Sequence, residues 1–530
     1  MPASDSEAPG APGAPGSARA EAGGSAQAPR SPLAEFMALA WPTVLTMLSY
    51  TVMQFVDAIM VAQVGPDEVA AQGNGGVWAF VPLAFLFGAL TVVNTYVSQA
   101  LGARRPHEVA RYAWAGIWLA VASWVVVLLP FAFVLPLFFA AMGHTGRVTA
   151  LETEYGQILV LGAVVTLVAK ALSNVFFGVH RPGVITVAAM LGNVANVVFN
   201  YALIYGEAGL PALGLPGVPG TPALGLAGAA YATVAGTAVE AVLPAALFLG
   251  RRMHGAYATR ASWRPDWRAM RDLLRVGAPA GLQSGSEIFA WAIFMSVLVG
   301  RFGTDALAAG WITLRYMHLA FMPAVGFSVA TTSIVGRYIG AGRPDVAAAR
   351  VRTALSVAAV YMGVCGVAML VFRAPLVAFF AHGANTDAET AARIVAIGSG
   401  TMIAAAFFQV FDAFGIVLNG ALRGAGDTLW PSVVTIALSW ALIVGLGAGI
   451  AALAPGLGAL GPWIAAAVYI AAFGGAMAWR WHHGAWRRIR LLGGVEAAAA
   501  QVAPQEAGVP DLQPNLSGED LAAGYQRARE

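Results

Sequence analysis

Charge is what this sequence has least of. Lys, Arg, Asp and Glu together make up 11% of its 530 residues, less than half the roughly 25% usual in soluble domains. So few charges cannot coat several water-soluble globules, which the length alone would suggest. Cysteine is nearly missing as well: Cys365 stands alone inside an apolar run, which excludes an intramolecular disulfide framework. Lysine occurs once, as Lys170. No Cys/His cluster has metal-ligand spacing, no Ser-His-Asp constellation offers a nucleophile, and no G-x-x-x-x-G-K-S/T run offers an ATP site. An enzyme is therefore not expected, nor a cofactor. The formal net charge of +3 is too small to point to nucleic acid.

What the chain does have is hydrophobic residues, 58% of the total, gathered in long runs. A hydrocarbon core of ~30 Å needs ~20 apolar residues in a helix. Twelve segments satisfy that rule, at about 36–63, 77–100, 112–140, 154–179, 182–206, 224–250, 272–300, 307–336, 352–380, 391–420, 429–453 and 460–481. The expected fold is an all-α membrane protein of twelve transmembrane helices in two pseudo-symmetric six-helix lobes. Connectors after even-numbered spans collect most of the arginines, Arg104, Arg105, Arg181, Arg251, Arg252, Arg337, Arg343 and Arg423 among them. Connectors after odd-numbered spans hold only Arg147, Arg301, Arg373 and Arg393. The positive-inside bias then places the even side, and both termini, in the cytoplasm of a multi-pass protein of the bacterial inner membrane. Residues 1–32, rich in Ala, Gly, Pro and Ser without an apolar core, read as a disordered cytoplasmic tail rather than a secretory signal. Residues 486–530 read as a polar cytoplasmic tail. Between them lie an N-terminal lobe (33–250), a cytoplasmic bridge (251–271) with an interfacial helix that sets Trp263 and Trp267 at the headgroups, and a C-terminal lobe (272–485).

The two halves repeat one another. Gly102-Ala103-Arg104-Arg105-Pro106 matches Gly340-Ala341-Gly342-Arg343-Pro344, and Val64-Gly65-Pro66-Asp67 matches Phe302-Gly303-Thr304-Asp305. Trp41-Pro42 falls within one residue of Ala278-Pro279 at the same offset. Six spans per half give parallel repeats related by an axis along the membrane normal, and two such lobes enclose a central cavity.

An ionisable side chain at the bilayer centre costs ~2.5–3.5 kcal/mol on insertion scales, so each one needs a reason. The spans contain Asp57, Lys170, Glu240, Glu287, Arg315 and Asp412. Asp57 follows Gln54 by one turn, so both lie on one helix face. Glu287 follows Gln283 by four residues and Asp412 follows Gln409 by three. Two carboxylates in one lobe can share a proton or hold Na⁺. Asn193, Asn196 and Asn200 line one face of the fifth span, either orienting Asp57 or hydrogen-bonding between helices. Lys170 and Glu240 are opposite charges in one lobe and read as a buried pair, with Lys170 as a counter-charge for Asp57 or Glu240 that modifies coupling the alternative. Arg315 reads as snorkelling to the outer interface, with a place beside Glu287 the alternative.

Longer stretches carry a resemblance. Gln54-Phe55-Val56-Asp57-Ala58-Ile59-Met60-Val61, Ala320-Phe321-Met322-Pro323-Ala324-Val325-Gly326-Phe327, Gln409-Val410-Phe411-Asp412 and Asn419-Gly420-Ala421-Leu422-Arg423-Gly424-Ala425-Gly426-Asp427-Thr428 occur in order and in the matching spans. In these the chain resembles the multidrug and toxic compound extrusion (MATE) family of antiporters, bacterial type, from about Leu39 to Trp481. The resemblance implies a Na⁺- or H⁺-coupled antiporter. It would export amphipathic, often cationic organic compounds by alternating access, on the energy of an ion gradient rather than ATP, with small-molecule and lipid contacts only and functional as a monomer. It implies cation coupling at Asp57, Glu287 and Asp412, so that any bound Na⁺ would sit at Asp57 or at Glu287/Asp412, and it adds Thr233 as a further oxygen. Where the family often pairs Asn with Asp in the fifth helix, this chain has Asn196 and Asn200, one negative charge fewer. The competing reading is a lipid-linked saccharide flippase of related architecture. Its cavity would be lined by several arginines, whereas the arginines here fall in the connectors.

Overall fold

The computed structural model describes residues 31–141, 146–210, 214–381 and 387–492, so the expected tails at 1–32 and 486–530 lie outside it except for their inner ends. Among the described residues it is nearly all helix, and 12 helices are long and apolar enough to cross a membrane. They are α1 (Pro32–Ala62), α2 (Asp67–Gly102), α3 (Pro106–Ala140), α4 (Gly146–Gly178), α5 (Pro182–Ala208), α6 (Gly225–Phe248), α7 (Trp267–Phe302), α8 (Thr304–Gly340), α9 (Pro344–Val371), α10 (Ala388–Ala425), α11 (Leu429–Leu453) and α12 (Leu460–His483).

The helices overrun the apolar runs that announce them. Arg337 and Arg423, which the sequence reading assigns to connectors, lie inside α8 and α10. The reason is local: helices end where a cap ends them, not where hydropathy stops, and α10 runs on until Gly426 adopts φ +92°. The bridge also differs from expectation. Its helix covers only Arg251–Tyr257. Trp263 lies in the irregular stretch after it, and Trp267 already opens α7, with Asp266 accepting from the amides of Arg268 and Ala269 as its cap. Arg111 Nε donates to the same Asp266 at 2.7 Å and holds its carboxyl below the usual carboxylate range.

The repeat seen in the sequence is a repeat of turns. α2–α3, α4–α5, α8–α9 and α10–α11 are joined by the same device: the amides of Arg105, Arg181, Arg343 and Asp427 bond back to the carbonyls of Ala100, Phe176, Tyr338 and Leu422. Each turn carries one residue in the left-handed region, namely Arg104, His180, Gly342 and Gly426. This is the Schellman closure of a helix. Prolines at the first positions of α3, α5 and α9 start the next helix, since their missing N–H would be unpaired there anyway.

One apolar core packs the helices of the second half and another those of the first. A third crosses between them: Phe36, Leu39, Ala40 and Val44 of α1 are buried against Ala324, Phe327 and Ile334 of α8 and Ala413 and Val417 of α10. The first helix of each half thus leans onto the second helix of the other, α1 on α8 and α7 on α2. Small residues make the approach close. A Cβ on Gly281 or Gly277 would stand 2.4 Å from the carbonyl of Phe85 or Ala89, and one on Gly340 would stand 2.0 Å from the carbonyl of Gln99.

These interlobe contacts gather at the ends carrying the four Schellman turns. Glu35 accepts from Tyr338 at 2.8 Å and from Arg350 at 2.6 Å. Ser333 donates to Asn94 Oδ1 at 3.0 Å, Thr95 to the Arg423 carbonyl at 2.9 Å, and Gln99 to the Gly424 carbonyl at 3.0 Å. His180 Nε2 lies 3.1 Å from the Ser333 carbonyl. Burial, then the neighbouring Arg337, push its imidazole down to about 4, so Nε2 donates as the neutral ring. At the opposite ends the ion pairs stay within a lobe, Arg147 with Glu68 and Arg393 with Asp305. Among the described residues no hydrogen bond or ion pair joins the lobes there. The lobes therefore form a cleft closed on the side of the Schellman turns.

Candidate functional site

In the N-lobe, three helices bring the candidate groups together. Glycines allow it: a Cβ on Gly236 would stand 2.7 Å from Asn196 Cβ, and one on Gly192 2.7 Å from Glu240 Cβ, so α5 and α6 pack backbone to backbone. That approach seats Asn196 and Asn200, fully or nearly fully buried, opposite α1. Asn200 Nδ2 donates to Asp57 Oδ1 at 2.5 Å and to Asn196 Oδ1 at 3.1 Å. Asn193 Nδ2 donates to the Ser49 carbonyl at 2.9 Å. This amide column is incompletely satisfied among the described residues, where Asn193 Oδ1, Asn196 Nδ2 and Asn200 Oδ1 are buried without a partner. Such orphans are uncommon, and each calls for an explanation. Tyr155 lies within electrostatic reach of Asp57.

Other candidates of this lobe stand apart from Asp57. Gln54 is exposed and its side chain makes no hydrogen bond among the described residues. The Thr233 hydroxyl bonds to the carbonyl of Ala229 on its own helix at 2.9 Å. Lys170 and Glu240 do not form the buried pair read from the sequence. Glu240 accepts instead from the Tyr50 hydroxyl, while Lys170 Nζ lies 5.5 Å from the centre of the Phe87 ring. The phenol reaches the carboxylate first, from two turns before Asp57 on α1.

In the C-lobe, Glu287 accepts from the Tyr469 hydroxyl of α12 at 2.7 Å. Asp412, 8% exposed, makes no hydrogen bond among the described residues but lies near enough to Glu287 for their charges to interact. The expected supporting amides turn elsewhere. Gln283 donates to Thr435 at 3.2 Å and accepts from Ser432, both on α11, and Gln409 donates to Met369 Sδ at 3.2 Å. Arg315 is exposed over the Phe380 ring, 5.6 Å from its centre, and pairs with no carboxylate among the described residues.

Sequence reasoning missed Tyr469 and the partner of Tyr50. A phenol buried in a membrane helix needs an acceptor, which was the available signal, but not which acceptor. It also missed that Arg423 points into the protein. Gly426, placed to cap α10, would have put Arg423 in the last helical turn.

A twelve-helix, two-lobed bundle with a carboxylate inside each lobe and a cleft between them defines a membrane transporter. The MatE family model matches residues 42–202 and again 286–447, once in each lobe, and the chain belongs to that family. A probable multidrug resistance protein NorM of Mesorhizobium japonicum is 29% identical over 461 residues, covering 85% of this chain and 94% of that protein. Another of that name from Pseudomonas putida is 30% identical over 483 residues, covering 89% and 99%. The crystal structure of a MATE protein in complex with MaL6 shares the fold, with a TM-score of 0.77 over 87% of this chain and 98% of that one at 22% identity. The chain is accordingly an efflux transporter of the MATE family, a multi-pass inner-membrane protein and not an enzyme.

Proposed function

We propose that this transporter is a multidrug exporter. It moves amphipathic, often cationic organic compounds out of the cell in exchange for Na⁺ or H⁺, by alternating access of the cleft between its lobes. The observation that carries this reading is the Asp57–Asn200–Asn196 cluster. A carboxylate at membrane depth is held by one amide while two neighbouring amide oxygens, Asn193 Oδ1 and Asn200 Oδ1, lack partners. A proton on Asp57, or a hard cation preferring oxygen ligands, completes such a set. Glu287 and Asp412, with Tyr469, form the corresponding group of the C-lobe. The arginine bias supports placing the Schellman turns and both termini in the cytoplasm. In that orientation the cleft is open to the outside and sealed inside. One chain holds both lobes and both carboxylate groups, so a monomer suffices.

The test is dye transport in proteoliposomes with Na⁺ and pH gradients imposed separately. Export driven by one gradient, and lost in Asp57→Asn while the variant still folds, is the expected result. Unchanged transport in Asp57→Asn would remove the residue from the mechanism. Transport indifferent to both gradients would remove ion coupling.

A further inference from the structure

Ion coupling makes no use of two cations that face each other across the lobes. Lys170, on α4 of the N-lobe, is half-buried two turns from the cytoplasmic end of its helix. Its Nζ donates no hydrogen bond and joins no ion pair among the described residues, and it stands over the face of Phe87, 5.5 Å from the ring centre. Arg423, on α10 of the C-lobe, is half-buried in the last turn, with its backbone carbonyl locked to Thr95 across the seam. Its Nε is buried without a partner among the described residues. The one hydrogen bond of its fork among them is long, from a terminal nitrogen to Ser328 Oγ at 3.5 Å. The two cations lie close enough for their charges to act on each other, from opposite lobes, on the closed side of the cleft. Glu240 also acts on Lys170 through space, but it is already bound by Tyr50.

This arrangement is unfavourable as it stands. Like charges in a weakly screened interior repel, and a guanidinium whose Nε–H is buried without an acceptor forgoes a hydrogen bond that hydration would give it. A guanidinium with a free Nε–H edge fits one planar acceptor group above others, a carboxylate taken in fork geometry. An ammonium beside it adds a point charge of the right sign, and the Phe87 face offers an apolar surface for the body carrying that carboxylate.

We propose that Lys170 and Arg423 form an anion-recognition site at the floor of the cleft that binds a carboxylate borne by the transported compound. The inference rests on the exporter reading above and adds a docking point to it: where a transported compound bears a carboxylate, that group seats between Lys170 and Arg423. A carboxylate there bridges the two lobes and strengthens the seam that closes the cytoplasmic side.

A matched pair of dyes tests this, rhodamine 110, which carries a free carboxylate, and rhodamine 123, its methyl ester. Binding to the purified full-length transporter is read by fluorescence polarisation. The expected result is a preference of about tenfold for the acid, falling toward parity in Lys170→Gln and in Arg423→Gln. Arg423→Lys should recover part of it, because charge is kept while the fork is lost. Benzoate should compete with the acid, and inorganic diphosphate should not. Equal affinity for acid and ester in the unmodified protein overturns the proposal. So does a preference that survives both neutralising variants, or competition by diphosphate in place of benzoate. If Arg423→Gln fails to fold, Lys170→Gln, which lies outside the seam's hydrogen bonds, decides alone. Failure of ion coupling would appear instead as ester transport indifferent to gradients, with the acid-to-ester preference intact.

Discussion

The two lobes are built on one plan and differ where they hold charge. In the N-lobe Asp57 alone faces a column of asparagines and takes its hydrogen bond from an amide, while Glu240 stands apart against Tyr50. In the C-lobe two carboxylates share one neighbourhood, and the donor is a phenol, Tyr469. An amide column offers neutral oxygens beside one negative charge. A carboxylate pair must relieve its own repulsion, with a proton or a cation held between the two groups. The same repeat can therefore present the coupling ion with two chemically different seats. The turns show a parallel contrast. The C-lobe fills its left-handed positions with Gly342 and Gly426, whereas the N-lobe fills them with Arg104 and His180. A side chain there costs ~1–2 kcal/mol of backbone strain. In His180 the cost is offset by a hydrogen bond across the seam that glycine could not make.

The largest effect should come from separating the seats. Asp57→Asn should lower ion-driven export at least tenfold in proteoliposomes, because nothing else in the amide column carries charge. Glu287→Gln and Asp412→Asn should each reduce export several-fold. The double variant should be no worse than the weaker single one if the pair titrates as a unit, since groups acting together are not additive. Additive losses would make them two independent seats. Initial rates at a fixed gradient give both answers.

A middle-sized effect concerns His180. Its imidazole titrates at about 4 when folded, against 6.5 for the free ring. Between these values the unfolded chain binds the extra proton and the folded one does not, so stability falls as pH drops through that window. Thermal unfolding from pH 7 to 4 should show a slope that His180→Gln flattens; an identical slope in the variant would place the titration elsewhere. The smallest effects belong to the paired turns. Gly342→Ala, where a Cβ meets nothing within 4 Å at φ +68°, should destabilise by about 1 kcal/mol through the backbone alone. Arg104→Gly should be neutral or slightly stabilising by the same argument. Chemical denaturation of the two variants side by side measures both.

The bundle was largely legible from the sequence. Twelve apolar runs, an arginine bias and repeated Gly-x-x-Arg-Pro turns are local signals, and membrane burial makes them strong. Asp57, Glu287 and Asp412 were legible for the same reason, because a carboxylate in an apolar run needs an account. Their partners were not. Glu240 meets Tyr50 rather than Lys170, and Glu287 meets Tyr469. Such pairings depend on how helices far apart in the chain rotate against one another, which periodicity does not encode. Gln283 and Gln409 share helices with their carboxylates yet bond to α11 and to Met369. A spacing of three or four residues puts two side chains on one face without aiming them at the same place. Arg423 was misplaced because hydropathy marks where apolar residues stop, while Gly426 decides where the helix does.

The seam has one further property. Thr95, Gln99, His180 and Tyr96 of the N-lobe each bond to a main-chain carbonyl of the C-lobe, those of Arg423, Gly424, Ser333 and Asp272. A main-chain carbonyl is present whatever residue carries it. Changes of side chain on the C-lobe face leave these acceptors in place, while each donor on the N-lobe face can be lost by a single substitution. These four bonds thus constrain sequence drift on the N-lobe side alone; the C-lobe is constrained elsewhere on the joint, where Gly277, Gly281 and Gly340 admit the N-lobe backbone and Ser333, Tyr338 and Arg350 donate across it.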